Sequence, residues 1–173
     1  EEAKNYKTGD PMNPETLLGT VINESARDRI HSLVVDALEK GATLLLGGKY
    51  NALFYEATIL DNVSLDMRVA LEEIFGPVMP VITIESIEEA IKINNSSEYG
   101  LDSCIFTENI HLALKIAREL EDGSVTINAA PAHGVGHFPF GGNKKSGLGR
   151  EGIKYSIDEL TKLHTIIVSE EVE

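Results

Sequence analysis

Tryptophan is absent, cysteine occurs once, and aromatic residues make up only 6% of the 173 residues. A single thiol cannot build an internal disulfide framework, which points to a reducing compartment, and the cytoplasm is the expected location. Positive charge is also scarce: 15 Lys and Arg stand against 28 Asp and Glu, a net charge of −13. Such a surface repels phosphate backbones and anionic lipid, so neither nucleic acid nor a membrane is an expected partner. No apolar run approaches the roughly 20 residues that a spanning helix needs. The opening Glu1-Glu2-Ala3-Lys4 is charged and polar, unlike a signal peptide. No metal is expected either. His133 and His137 stand four apart, but Gly134 and Gly136 break the helix that this spacing requires. The first residue is not Met, and from this we expect the chain to be part of something longer.

What is present is ordinary globular material, 42% apolar and 25% charged. There is no internal repeat, low-complexity tract or clear linker, so one compact unit is expected. Asn23, Glu24 and Ser25 can cap a helix carrying Ile30, Leu33, Val34, Ala37 and Leu38 on one face, with Gly41 as its stop. Residues 42–46 predict a buried strand, and 54–60 another. From Pro77 onward the pattern alternates: strand 78–84, helix 86–94, strand 101–106, helix 108–120, strand 123–127. Short connections in that order predict an α/β fold, a parallel sheet flanked by helices. Residues 128–149 are rich in Gly and lack periodicity. A connection of more than about 12–15 residues in a compact domain usually serves function. A short helix from Arg150 and a final strand, 163–168, precede an acidic tail, and the final strand has no obvious partner.

Several residue patterns could carry chemistry. Gly147, Gly149 and Gly152 match the spacing of a dinucleotide fingerprint, but no strand delivers them and too little chain follows. Gly142 and Gly147 have phosphate-loop spacing, yet Leu148 and Gly149 stand where Lys and Ser or Thr are required. Cys104 falls inside a predicted strand with nothing basic beside it in sequence, which favours a small core thiol over a nucleophile. Glu72-Glu73-Ile74-Phe75-Gly76-Pro77 precedes a strand. A carboxylate there could accept hydrogen bonds from two vicinal hydroxyls, as a ribose offers, and a Phe could cover a flat ring. A solvated helix end followed by a core Phe is the plainer alternative, and local chemistry leaves both open. Between residues 141 and 162, Lys144, Lys145, Arg150, Lys154 and Lys162 outnumber Glu151, Asp158 and Glu159. This excess suits an anionic ligand or a solvated face.

Taken in order, these segments resemble the C-terminal part of the catalytic domain of an aldehyde dehydrogenase. The resemblance rests on Glu72-Glu73-Ile74-Phe75-Gly76-Pro77-Val78, on Glu98-Tyr99-Gly100-Leu101 with Ile105-Phe106-Thr107, and on Gly123-Ser124-Val125-Thr126-Ile127-Asn128. It continues through Phe138-Pro139-Phe140-Gly141-Gly142-Asn143-Lys144-Lys145-Ser146-Gly147-Leu148-Gly149-Arg150-Glu151-Gly152. The closing stretch is similar to the branch of non-phosphorylating glyceraldehyde-3-phosphate and lactaldehyde-type dehydrogenases.

The resemblance implies NAD- or NADP-dependent oxidation of a small aldehyde to its carboxylic acid. It implies that Glu73 binds the nicotinamide ribose hydroxyls and that Phe75 packs near the nicotinamide. It makes residues 129–138 the loop at the aldehyde entrance, with His133 and Phe138 as substrate-loop residues. Where a glyceraldehyde-3-phosphate enzyme commonly places Arg in that loop, this chain has His133, a poorer phosphate partner when neutral. The resemblance divides the chain into a partial catalytic domain, 1–160, and a C-terminal oligomerisation strand with acidic tail, 161–173, and so implies a homo-oligomer. It assigns no catalytic residue to this chain, because the family's nucleophilic Cys lies N-terminal to such a segment and Cys104 aligns with a strand. The expectation is therefore a fragment of an aldehyde dehydrogenase, inactive alone. The alternative is a short non-catalytic paralogue acting in binding or assembly.

Overall fold

The computed structural model describes residues 1–131 and 136–169. Contacts divide the chain into two compact units, Glu1–Ile84 and Glu85–Glu173, a division that no shift of composition marks in the sequence.

The first unit is organised by helix α1 (Glu24–Glu39). The Asn23 side chain accepts a hydrogen bond from the Ala26 amide at 2.8 Å, satisfying one of the free amides of the first turn. Ile30, Leu33, Val34 and Ala37 fall on one face and are buried. Gly41, at φ +101°, turns the chain out of the helix. Strands β1 (Thr43–Leu46), β2 (Tyr50–Asn51), β3 (Phe54–Tyr55) and β4 (Thr58–Asp61) follow, then the short helix α2 (Arg68–Leu71) and β5 (Val78–Pro80). Strand β4 is central, antiparallel to β1 and parallel to β5, while β2 and β3 pair only with each other. The apolar face of α1 packs with Tyr55, Leu60, Val63, Met67, Val69 and Val78 into one core. Full burial stabilises each large apolar side chain by roughly 1.5–3 kcal/mol.

Three expectations fail in this unit. The strand expected over 54–60 is broken in two: β3 pairs with β2, and β4 with β1 and β5. Strand β1 is not buried: Thr43, Leu44 and Leu45 are exposed, because β1 is an edge strand bonded only to β4. The strand expected over 78–84 stops at Pro80, which has no amide to donate. It pairs with β4 and not with any later strand.

The second unit contains α3 (Ile87–Ser96), β6 (Tyr99–Gly100), β7 (Asp102–Ile105), α4 (Ile110–Glu119), β8 (Ser124–Ile127), β9 (Asn143–Lys144) and α5 (Ile153–Leu160). Ser86 and Asn109 cap α3 and α4 through their side chains. The β7–α4–β8 crossover is the parallel unit that the sequence predicts, in register from Asp102 opposite Ser124 to Ile105 opposite Ile127. Strands β6 and β9 form a separate antiparallel pair. The expected parallel sheet is therefore divided: the structure is α/β with mixed sheets. Residues 163–168 form no strand, and Leu163, Ile166, Ile167 and Val168 are exposed.

Cys104 also departs from expectation. It is exposed, not a core thiol, because side chains alternate along β7 and it lies opposite the less exposed Ser103 and Ile105. No helix among the described residues is long and apolar enough to cross a membrane.

Candidate functional site

The loop between α2 and β5 gathers the most informative side chains. Its first end is fixed electrostatically. The Asp36 carboxylate accepts from the Arg68 amide at 2.9 Å, at the positive end of α2, and pairs with Lys40 at 3.0 Å. The Arg68 amide, with the Lys40 ammonium, holds the Asp36 carboxyl below its usual range. One turn later Arg68 grips Glu72 through two bonds, Nε to Oε1 at 2.7 Å and Nη2 to Oε2 at 3.2 Å. That pair lowers the carboxyl of Glu72 and raises the guanidinium of Arg68.

Both adjacent acids are exposed, but only Glu72 is committed to an ion pair among the described residues. Among the described residues the Glu73 carboxylate has no ion-pair or hydrogen-bond partner. Its backbone is held all the same. The Arg29 guanidinium, from α1, donates to the carbonyl of Glu73 at 2.9 Å and to that of Ile74. The Ile74 side chain packs on the core. Gly76 lies against Ile30, where an added Cβ would stand 2.5 Å from Cδ1. The carbonyl of Pro77 accepts from the amide of buried Thr58 at 2.8 Å.

Between these anchors Phe75 adopts φ +49° and its ring is 79% exposed. A bulky residue in the left-handed region costs about 1–3 kcal/mol and persists only where its surroundings over-determine it. The core Phe that the plainer alternative needed is therefore not there. The loop presents two outward groups on a fixed base, a free carboxylate and an apolar ring. A vicinal diol and a flat heterocycle are what such a pair can hold.

The second unit carries the other sequence-predicted residues. His133 lies outside the described residues. Phe138 is 61% exposed, and its ring centroid lies 5.0 Å from that of His137. The chain on either side is pinned: the Ile153 amide donates to the Gly136 carbonyl at 2.8 Å, and Phe140 and Glu151 exchange backbone bonds of 2.9 and 2.6 Å.

The Gly-rich stretch that follows is a structural staple. Arg150 donates to the carbonyls of Gly142 and Gly149 at 3.1 and 2.8 Å and to the side chain of Asn143 at 2.7 Å. Gly147, Gly149 and Gly152 all take positive φ, so their spacing serves a folded loop and not a strand-to-helix phosphate turn. Among the described residues no group of three His, Cys, Asp or Glu is placed to hold a metal ion. Arg29 and Gly76 are the site residues that sequence reasoning missed. A lone Arg on a helix gives no signal, although Gly76, between Phe75 and Pro77, hinted at a close approach.

The sequence pattern of the aldehyde dehydrogenase family matches residues 1–166. The chain belongs to the aldehyde dehydrogenase family. It is 42% identical over 168 residues to a sulfoacetaldehyde dehydrogenase of Neptuniibacter caesariensis, covering 97% of this chain and 37% of that protein. It is 40% identical over 169 residues to a lactaldehyde dehydrogenase of Methanococcus maripaludis, covering 97% and 36%. Its fold matches that of a glyceraldehyde-3-phosphate dehydrogenase of Methanocaldococcus jannaschii complexed with NADP, with TM-score 0.92 and 42% identity over 98% of this chain and 37% of that one. The chain thus spans little more than a third of the length of these aldehyde dehydrogenase relatives.

Proposed function

We propose that this chain is the part of an NAD- or NADP-dependent aldehyde dehydrogenase that holds the nicotinamide end of the cofactor and shapes the aldehyde entrance. The single observation that carries this reading is the loop 72–76, where Glu73 is free while Glu72 is paired, and Phe75 is held outward in a strained conformation. When bound, NAD(P) takes the hydride that leaves the aldehyde carbon. The Glu73 carboxylate accepts hydrogen bonds from the two nicotinamide-ribose hydroxyls, and the Phe75 ring limits where the nicotinamide can lie. These contacts restrict rotation at the reacting end, which matters because catalysis is sensitive to displacements on the order of 1 Å.

The substrate of this reading is a small aldehyde, glyceraldehyde-3-phosphate or a small hydroxyaldehyde, oxidised to its acid. The names of the relatives support that size and polarity. Residues 129–138 are the entrance loop of this reading, with Phe138 and His133 as its substrate-loop residues. Residues 1–160 belong to the catalytic domain. Residues 161–173 serve in oligomerisation: the exposed apolar residues of 163–168, which form no strand in the chain by itself, would become one only against a partner chain.

In this reading Cys104, on strand β7, is not the nucleophile, and the chain alone is inactive. Glu73→Ala in the complete enzyme tests the reading. Hydride transfer is expected to slow markedly while the fold is kept, and a rate equal to that of the unaltered enzyme would remove Glu73 from the site.

A further inference from the structure

We propose that Arg29 is a positioning residue for the cofactor-facing pair, acting through the backbone of the loop and not by touching the cofactor. The inference rests on the reading of Glu73 and Phe75 given above. Three observations carry it. First, Arg29 forms no close ion pair among the described residues, although its charge helps to lower the carboxyl of Glu72, and two of its donors go to consecutive carbonyls, those of Glu73 and Ile74. An arginine used for charge alone would seek a carboxylate. A fork aimed at two adjacent carbonyls fixes the orientation of two successive peptide planes, 73–74 and 74–75.

Second, those carbonyls belong to the residues immediately before Phe75, whose φ of +49° needs restraint from both sides. The C-terminal side is restrained by Gly76 against Ile30 and by the bond from Thr58 to Pro77. On the N-terminal side the Arg29 fork supplies the hydrogen bonds, beside the packed side chain of Ile74. Third, Arg29 and Ile30 are adjacent on α1, whose core face is fully buried. One rigid turn of helix therefore holds the loop at two points, by polar contact at residues 73 and 74 and by packing at residue 76. Loss of the fork frees the loop to relax toward an ordinary φ at Phe75, which swings the ring and the neighbouring carboxylate together.

The test compares Arg29→Gln and Arg29→Lys with Glu73→Ala in the full-length enzyme. Two readouts are followed: amide hydrogen exchange at residues 73–76, and single-turnover hydride transfer with NAD(P) affinity measured separately. Arg29→Gln is expected to raise exchange at 73–76 while leaving the interior of α1 protected. It should slow hydride transfer by about ten- to hundredfold with little change in cofactor affinity. Arg29→Lys, a single point donor, should fall between Arg29→Gln and the unaltered enzyme in both readouts. Should Arg29→Gln fail to fold, the Arg29→Lys values alone decide. Unchanged exchange at 73–76 overturns the clamp. Faster exchange with unchanged hydride transfer, while Glu73→Ala does slow it, overturns the positioning role and leaves the cofactor reading standing. If Glu73→Ala has no effect either, both fall, and the fault lies with the reading of Glu73.

Discussion

Unit 1 and unit 2 have similar lengths and similar numbers of elements, yet they bury apolar surface very differently. The first has a continuous core of α1, Tyr55, Leu60, Val63, Met67, Val69 and Val78. Among the described residues of the second, Ala113 is the one buried apolar side chain. Leu101, Phe106, Leu114 and Ile157 are exposed. Unit 2 is held instead by polar staples. Asn94 donates to Asp122 at 2.8 Å, Asn95 donates to the carbonyl of Glu119, Asn143 donates to that of Glu121, and Arg150 spans the Gly-rich loop. Hydrogen bonds of this kind specify a geometry but contribute only about 0.5–1.5 kcal/mol each in net terms. The contrast teaches that unit 1 is held by apolar burial, and unit 2, among its described residues, chiefly by hydrogen bonds.

The contrast can be broken most directly by truncating one helix in each unit. Leu33→Ala, in the core of unit 1, should cost about 2–5 kcal/mol, whereas Leu114→Ala on α4 should cost less than about 1 kcal/mol. Urea unfolding followed by far-ultraviolet circular dichroism measures both, and equal losses would mean that unit 2 has a core of its own.

A smaller effect separates the two close-packed glycines. Gly76→Ala meets the flexible end of Ile30, and overpacking there should cost about 1–3 kcal/mol. Gly123→Ala would place its Cβ 1.8 Å from the backbone carbonyl of Gly141, so main chain must move. Its cost should lie at the top of that range or above, despite the thinner core. Thermal melts of the two variants decide the order, and a milder Gly123→Ala would show that the staple around Arg150 is loose.

Alkaline titration sharpens the comparison further. Burial pushes the Tyr55 phenol up from 10.0 to about 12, and its hydroxyl lies 3.1 Å from Nδ1 of His31. Because this pKa is raised on folding, its contribution is fully present below the unfolded value and is lost as pH rises through the folded one. Unit 1 should therefore weaken between pH 10.0 and about 12. Tyr55→Phe should abolish that slope while losing the contact with His31. Amide exchange resolved by unit measures it, and a slope that survives in Tyr55→Phe would assign the alkaline loss elsewhere.

The smallest effect is on the acid side. Asp36 is held low chiefly by the Arg68 amide, and Glu98 in unit 2 is held low by Lys145, whose own ammonium is raised by the same pair. For a lowered carboxyl the contribution exists above the unfolded pKa and is lost as pH falls through the folded one. Both units should lose stability below the usual carboxylate range. Asp36→Asn should flatten the loss in unit 1 alone, and Glu98→Gln the loss in unit 2 alone. Acid unfolding curves in which either variant alters both units would show that the two are coupled.

Much of this structure was legible before any coordinates. The face of α1 repeats at helical spacing and is buried at Ile30, Leu33, Val34 and Ala37, though not at Leu38, with Asn23 and Gly41 at its ends. The β7–α4–β8 crossover follows from strand–helix–strand order and short connections. Glu73 and Phe75 could be picked out through the resemblance of their motif, but not weighed against Glu72 and a buried Phe. That choice depended on Arg68, which lies one helical turn before Glu72 and shows its partner only once α2 exists.

The chain by itself determined the helices α1, α3 and α4, its charge and its family, because caps, periodicity and motif order are properties of neighbours in sequence. Only the tertiary structure decided which strand Val78–Pro80 joins, that Cys104 faces outward, and that Arg29 on α1 holds residues more than forty positions away. Strand partners, exposure and backbone clamps are set by which surfaces meet in space. Local patterning can state that a face is apolar or a group polar, but not what will stand opposite it.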